Sequence, residues 1–166
     1  MKKLILGIAL IGLLRFRQLA RGAEADAAFA RSQAYELYEQ KRFDEAAARF
    51  KDYVEQNPDD LRAALDYAAL LSQLTRHEAA ARVLEDVHGR SPEHEVAYFR
   101  LGVEYVNLKR HADAERVFIE VEKSPNRELA DAAAEALGRL REDLERDLRF
   151  EAERGVFELA AHCLDQ

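Results

Sequence analysis

A period of 34 residues runs through the middle of the sequence and constrains the fold more than any other feature. The prolines Pro58 and Pro92 stand 34 residues apart, and the blocks 27–60, 61–94 and 95–128 share one register. In every block the eighth place is small, the twentieth is alanine and the twenty-fourth is bulky and apolar: Ala34, Ala68 and Gly102; Ala46, Ala80 and Ala114; Phe50, Leu84 and Phe118. A fixed period of this length is typical of stacked supersecondary units rather than of a domain around one closed core.

The pattern inside each block predicts helices. Apolar residues recur at spacings of three and four, as they do on amphipathic helices, and no stretch alternates with a period of two over the length of a strand. The pairs Asn57-Pro58 and Ser91-Pro92 mark helix ends, because proline lacks the backbone donor and clashes with the preceding turn. We therefore expect an all-α fold.

The blocks resemble the tetratricopeptide repeat, a helix–turn–helix unit of the same length. The third block carries the family pattern most fully, at Tyr98, Leu101, Gly102, Tyr105, Ala114 and Phe118. The first block has the usual turn, residues 41–46, into its second helix, whereas the tryptophan-like place is only alanine in the first two blocks and Pro125 comes one residue early. The resemblance spans residues 27–128 and implies a tetratricopeptide-like α-solenoid of three helix pairs plus C-terminal capping helices over 129–166.

The C-terminal segment departs from the register. The pattern of residues 128–152 predicts one long helix, with leucine and alanine on one stripe and many charged residues on the other faces. Such a helix suits the solvent-facing cap that a solenoid requires at its end. A dimerising coiled coil is the alternative, although the stripe is short for one. We expect Gly155 to interrupt this helix. The residues after it resemble the start of a further repeat, either as a final capping helix or as part of a longer array.

The N-terminal segment, residues 1–25, has the features of a signal or a membrane-associating sequence. Lys2 and Lys3 precede the apolar run 4–14, and Ala23-Glu24-Ala25 offers a small-residue cleavage site. Three arginines between the run and that site oppose translocation. Three interpretations stay open: a cleaved signal or uncleaved anchor, which is favoured and implies a periplasmic or inner-membrane-anchored protein; a surface helix that associates with the membrane through residues 4–20; and a helix packed on the first repeat of a cytoplasmic protein.

Composition and motif content exclude several functional classes. A net charge of −7 and a pI near 5.3 argue against a nucleic-acid partner, which requires a concentrated basic face. The single cysteine, Cys163, excludes an internal disulfide and a cysteine-cluster metal site. His77 and His111 share the seventeenth place of successive blocks, which indicates a packing role rather than metal ligation. No phosphate loop or nucleophile motif is present, so we expect no cofactor and no enzymatic activity.

The resemblance implies that the concave face of the repeats binds a protein or peptide. The places that line this face in the family predict a peptide-binding groove of ten residues: Arg31, Tyr35, Tyr38, Arg62, Leu65, Ala69, Phe99, Val103, Val106 and Asn107. The family's carboxylate clamp for chaperone C-termini is mostly missing, since Tyr35 and Val96 replace an asparagine and a lysine. The groove is instead aromatic and aliphatic, with two arginines at one end, and suits an apolar helix face or an extended peptide. The alternative is that a terminal helix of the chain itself covers it.

These observations predict a protein–protein interaction scaffold within an envelope-associated bacterial assembly. The alternative is the periplasmic repeat region, present as a fragment, of a larger outer-membrane secretion or exopolysaccharide-export protein. The sequence assigns neither the partner nor the oligomeric state.

Overall fold

The computed structural model describes the backbone of residues 26–164 and the side chains of residues 26–154. Within this range the chain forms seven helices and no strand, so the expected all-α fold is confirmed. The helices are α1 (26–39), α2 (Phe43–Gln56), α3 (Leu61–Gln73), α4 (His77–Arg90), α5 (Glu95–Asn107), α6 (His111–Val121) and α7 (Arg127–Leu164). The predicted signal-like segment, residues 1–25, lies outside the described residues.

The turn in the middle of each block repeats the same backbone conformation. Lys41, Thr75 and Lys109 have positive φ angles of 60°, 57° and 59°, and they stand 34 residues apart. Each N–H donates to the carbonyl three residues earlier, and the next helix begins two residues later. A left-handed conformation costs a residue with a side chain about 1–2 kcal/mol, so the surrounding fold must impose it at all three places.

The turns between blocks are closed by side-chain caps. Asp60 precedes α3 and its Oδ1 accepts a hydrogen bond from the backbone N–H of Ala63 at 3.0 Å. His94 precedes α5, and its Nδ1 accepts from the N–H of Ala97 at 3.2 Å. Each cap satisfies a donor that the first helical turn cannot satisfy internally, which fixes where these two helices begin.

The described chain divides between Thr75 and Arg76 into two compact units. This division falls between the two helices of block 61–94, and the assignment of three repeats with flanking segments stays a prediction.

In the first unit, α2 packs on α3. The fully buried ring of Phe50 lies at its centre, with the Tyr35 ring edge-on at 5.0 Å and the Tyr67 ring stacked at 6.4 Å between centroids.

In the second unit, α5 packs against both α4 and α6, and α6 packs against α7. Gly102 of α5 lies in the contact between α5 and α6. A Cβ atom at this position would lie 2.6 Å from Cε1 of Phe118 and 2.9 Å from Cγ1 of Val117. Both of those side chains are 1% exposed, so neither has space to retreat. The sequence pattern of a small residue at the eighth place therefore reflects a steric requirement.

The last helix corrects one expectation. We expected Gly155 to interrupt it, but α7 is a single helix that continues from Arg127 to Leu164, so a pair of capping helices is not found. Glycine costs only about 1 kcal/mol in a helix interior, and the neighbouring residues include strong helix formers and no proline. Leu137 and Leu140 are buried, whereas every described side chain from 141 to 154 is at least partly exposed.

Among the helices in the described part of the chain, none is both long enough and apolar enough to cross a bilayer.

Gly102→Ala should destabilise the protein even though alanine favours a helix. Overpacking against the Val117 and Phe118 side chains costs about 1–3 kcal/mol, which exceeds the gain of about 0.5–1 kcal/mol from removing a helical glycine. Gly138→Ala in α7 is the matched control, because a Cβ there meets nothing within 4 Å, and it should be stabilising. Urea unfolding of both variants measures this. A Gly102→Ala variant with a higher free energy of unfolding than wild type would contradict the close contact between α5 and α6 at this position.

Candidate peptide-binding site

The ten predicted groove residues lie on three helices. Arg31, Tyr35 and Tyr38 are on α1 and Arg62, Leu65 and Ala69 on α3, all in the first unit; Phe99, Val103, Val106 and Asn107 are on α5, in the second unit. The structure therefore brings together two partial sets, one in each unit. That the ten residues form one continuous groove stays a prediction.

In the first unit, α1 and α3 border a pocket of about 210 Å³. Its lining combines aromatic and apolar side chains with two polar ones: Tyr35, Tyr38, Phe50, Asp66, Ala69, Leu70 and Gln73. Arg31 and Arg62 line a neighbouring pocket of about 580 Å³ together with Tyr35, Glu36 and Glu39. Of the six predicted residues in this unit, five therefore border one pocket or the other, and Leu65 is half-buried on the same helix as Arg62 and Ala69.

Tyr35 is held more firmly than a freely exposed groove residue would be. Its hydroxyl donates to Oδ2 of Asp66 at 2.5 Å, and its ring packs edge-on against Phe50. Burial, assisted by the hydrogen bond to the Asp66 carboxylate, raises the pKa of Tyr35 to about 12. The hydroxyl is thus a permanent donor at neutral pH, and replacing Tyr35 would disturb the core as well as the pocket.

Asp66 is a site residue that the sequence analysis did not identify. It stands one helical turn after Arg62 and one before Ala69, so the spacing of residues 62, 66, 69 and 73 on α3 places it on the pocket face. This periodicity was the available signal. The family places used to predict the groove did not include it.

Arg31 is occupied by an internal ion pair. Its Nη1 lies 2.9 Å from Oδ2 of Asp60, and the same carboxylate oxygen accepts the Tyr53 hydroxyl at 2.8 Å. Burial would raise the pKa of Asp60, but hydrogen bonds from the Ala63 N–H, the Tyr53 hydroxyl and the Arg31 guanidinium together hold it below its ordinary value. Arg31 therefore joins α1 to the start of α3, and its charge is largely committed within the protein.

On α5 of the second unit, the predicted residues differ in exposure. The Phe99 ring lies 5.7 Å from the core ring of Phe118, so Phe99, like Tyr35, serves packing as well. Val103 is 38% exposed and its neighbour on the same helix face, Val96, is 42% exposed. Val106 is half-buried and Asn107 is exposed at the helix end. Val103 is thus the predicted α5 residue best placed to meet a partner without a core role.

A histidine–glutamate pair lies elsewhere in the second unit. Nδ1 of His77 on α4 lies 2.8 Å from Oε2 of Glu104 on α5, and Glu104 is only 4% exposed. The pair connects two helices, which agrees with a packing role for His77. Among the side chains that the structure describes, no three histidine, cysteine, aspartate or glutamate residues gather as metal ligands.

Residues 37–87 match the tetratricopeptide repeat family. Over these residues the resemblance seen in the sequence is confirmed, and solved structures support the fold. No curated protein sequence matches the chain significantly.

Similar solved structures include two tetratricopeptide repeat domains and a secretion chaperone. The Sgt2 domain from Aspergillus fumigatus has a TM-score of 0.61 at 18% identity, with 75% of this chain and 82% of that chain covered. The type III secretion chaperone SycD from Yersinia enterocolitica, in complex with a peptide of the translocator YopD, has a TM-score of 0.59 at 16% identity, covering 69% and 91%. The first such domain of Spaghetti (RPAP3), bound to an HSP90 peptide, has a TM-score of 0.59 at 18% identity, covering 72% and 93%. At these identities the likeness establishes the fold, a tetratricopeptide-like α-solenoid.

Asp60→Asn should lower the free energy of unfolding by about 1 kcal/mol at neutral pH, because it removes the negative charge that pairs with Arg31 and accepts the Tyr53 hydroxyl, whereas asparagine still caps α3. The pKa of Asp60 is lower in the folded state than its ordinary value of 3.8. The contribution of the ionised Asp60 carboxylate to the free energy of unfolding is therefore fully present above pH 3.8, and it is lost as the pH falls through the folded-state pKa. Urea unfolding at a series of pH values measures the effect.

The difference between wild type and Asp60→Asn should accordingly shrink as the pH falls below 3.8. Asp59→Asn is the matched control, since Asp59 is the exposed neighbour, and it should change stability little at any pH. Equal effects of the two substitutions would contradict the assigned network.

Proposed function

We propose that the protein is a non-enzymatic interaction scaffold that binds a partner polypeptide through the predicted groove residues of α1, α3 and α5. The observation that carries the proposal is the aromatic pocket of about 210 Å³ between α1 and α3. Its lining of three aromatic rings suits one side chain of a bound polypeptide, since aromatic side chains commonly anchor such contacts.

Exposed apolar side chains at groove places support the proposal. Tyr38 is 41% exposed on α1 and Val103 is 38% exposed on α5. Val96, which is 42% exposed, lies on the same face of α5 as Val103, and adjoining exposed apolar side chains of this kind usually mark a contact surface.

The similar structures support the same class of function. Spaghetti (RPAP3) is bound to an HSP90 peptide, SycD to a peptide of YopD, and PcrH to the chaperone-binding region of PopD. The same fold thus binds short polypeptide segments in three proteins. For this chain we expect the partner to be a polypeptide that belongs to a larger protein assembly.

Tyr38→Ala and Val103→Ala should each reduce partner binding about 5- to 30-fold, which corresponds to roughly 1–2 kcal/mol for an interface anchor. Quantitative affinity capture with the immobilised full-length protein measures the loss. Ile119→Ala is the matched control: Ile119 is also 38% exposed, but it lies on α6, which carries none of the predicted groove residues.

Thermal unfolding of all three variants checks that the fold is retained. If Ile119→Ala abolishes capture and the two groove substitutions leave it unchanged, the partner binds another face and the proposal is wrong.

We further propose that the scaffold acts at the bacterial cell envelope, exported or anchored by residues 1–25. The support comes from the sequence: Lys2 and Lys3 precede an apolar run of signal-peptide length, and a small-residue cleavage site follows.

A periplasm-dependent reporter fused after Ala25 should be active, and deletion of residues 4–14 should abolish its activity. The physical reason is that the apolar run is the part that the export machinery recognises. Fractionation of the full-length protein provides the second readout. Recovery of the uncleaved protein in the cytoplasmic fraction would contradict export.

A further inference from the structure

The pocket between α1 and α3 has a carboxylate among its aromatic walls. Tyr35, Tyr38 and Phe50 supply the rings, and Asp66 supplies the only formal charge among the lining residues. Gln73 lies at the same pocket, with Oε1 3.5 Å from the Tyr38 hydroxyl. The pocket therefore offers one negatively charged acceptor, the Asp66 carboxylate, among aromatic rings.

The carboxylate retains capacity to bind a further donor. Its Oδ2 accepts one hydrogen bond, from the Tyr35 hydroxyl, and an ionised carboxylate can accept about four. The Tyr35 hydroxyl also fixes the position of Asp66, since the tyrosine ring is held by Phe50. Asp66 is thus a positioned and half-buried acceptor.

The energetics of filling this pocket distinguish two kinds of partner side chain. An apolar side chain would gain contact with the rings but would remove Asp66 from water without replacing the lost hydrogen bonds, which is unfavourable. A lysine or arginine side chain places its aliphatic stem against the rings and its cation at the carboxylate. Tyrosine rings add a favourable interaction with a cation near their faces.

We propose that this pocket receives a basic side chain, arginine or lysine, from the partner polypeptide. The inference rests on the proposed function and specifies the chemistry of the partner at one position. The polarity is the reverse of the family's carboxylate clamp, whose asparagine place is occupied here by Tyr35.

The charged residues near the pocket predict in which direction their substitution changes the binding of a basic side chain. Arg31 is paired with Asp60, so its charge is largely compensated. Arg62 lies one helical turn before Asp66 and lines the adjacent pocket, where its positive charge repels an incoming cation. Glu39 also lines that adjacent pocket and attracts a cation only at longer range.

The experiment measures binding of the full-length protein to pools of fluorescent twelve-residue peptides by polarisation. Each pool is randomised over uncharged residues except at one central position, which is fixed as arginine, lysine, norleucine or glutamate. The arginine and lysine pools should bind about tenfold more tightly than the norleucine and glutamate pools, as expected for a charge-assisted contact in a partly buried site.

Asp66→Asn should reduce binding of the arginine pool to the level of the norleucine pool, and Arg62→Ala should increase it. Asparagine keeps an oxygen that accepts the Tyr35 hydroxyl, so the pocket stays formed. Glu39→Gln is the matched control, because it removes one negative charge beside the pocket and should change binding of the arginine pool less than twofold.

Three results would overturn the inference. In the first, the norleucine pool binds best and Tyr38→Ala abolishes its binding; the pocket then takes an apolar anchor, and the proposed function survives. In the second, Asp66→Asn and Glu39→Gln weaken the arginine pool equally, so that the attraction is only that of an acidic protein for cations. In the third, no pool is preferred although the captured partner still requires Tyr38 and Val103, which again leaves the proposed function intact.

Discussion

The fold depends on small residues at the places where helices come closest. Alanine or glycine occupies the eighth and twentieth place of every block, and each of these residues is buried: Ala34, Ala46, Ala68, Ala80, Gly102 and Ala114. Helices that approach so closely leave no room for larger side chains, and the bulky residues between them fill the remaining grooves. Because this requirement recurs every 34 residues, the same local rule of packing applies in all three blocks.

A second regularity is that acidic side chains on one helix accept hydrogen bonds from ring residues on another. Asp66 accepts the hydroxyl of Tyr35 and Glu85 that of Tyr105 at 2.7 Å, while Glu104 faces a ring nitrogen of His77. Burial and the Glu85 carboxylate raise the pKa of Tyr105 to about 12, which parallels Tyr35. A partly buried carboxylate is unfavourable unless it is bonded, so these pairs penalise any shift of one helix along its neighbour.

The sequence predicts the fold better than the site, for a physical reason. The repeat length and the helical periodicity follow from local backbone geometry. The sequence shows them directly, through the sizes of its side chains and the residues at its turns. Which polar groups pair depends on packing in three dimensions, so Asp66 and Glu104 were not identified, and Arg31 was expected to face a partner although it binds Asp60. The break expected at Gly155 was wrong because one glycine does not outweigh strong helix formers on both sides.

The left-handed residues at the mid-block turns have a consequence for how such a chain can change in length. Lys41, Thr75 and Lys109 share one backbone conformation, and arginine follows each of them. Excising residues 42–75 would join Lys41 to Arg76 and recreate the Lys-Arg junction that already exists at Lys109. A 34-residue segment could therefore be deleted or duplicated between two of these turns, because the turn that results would keep the same backbone conformation.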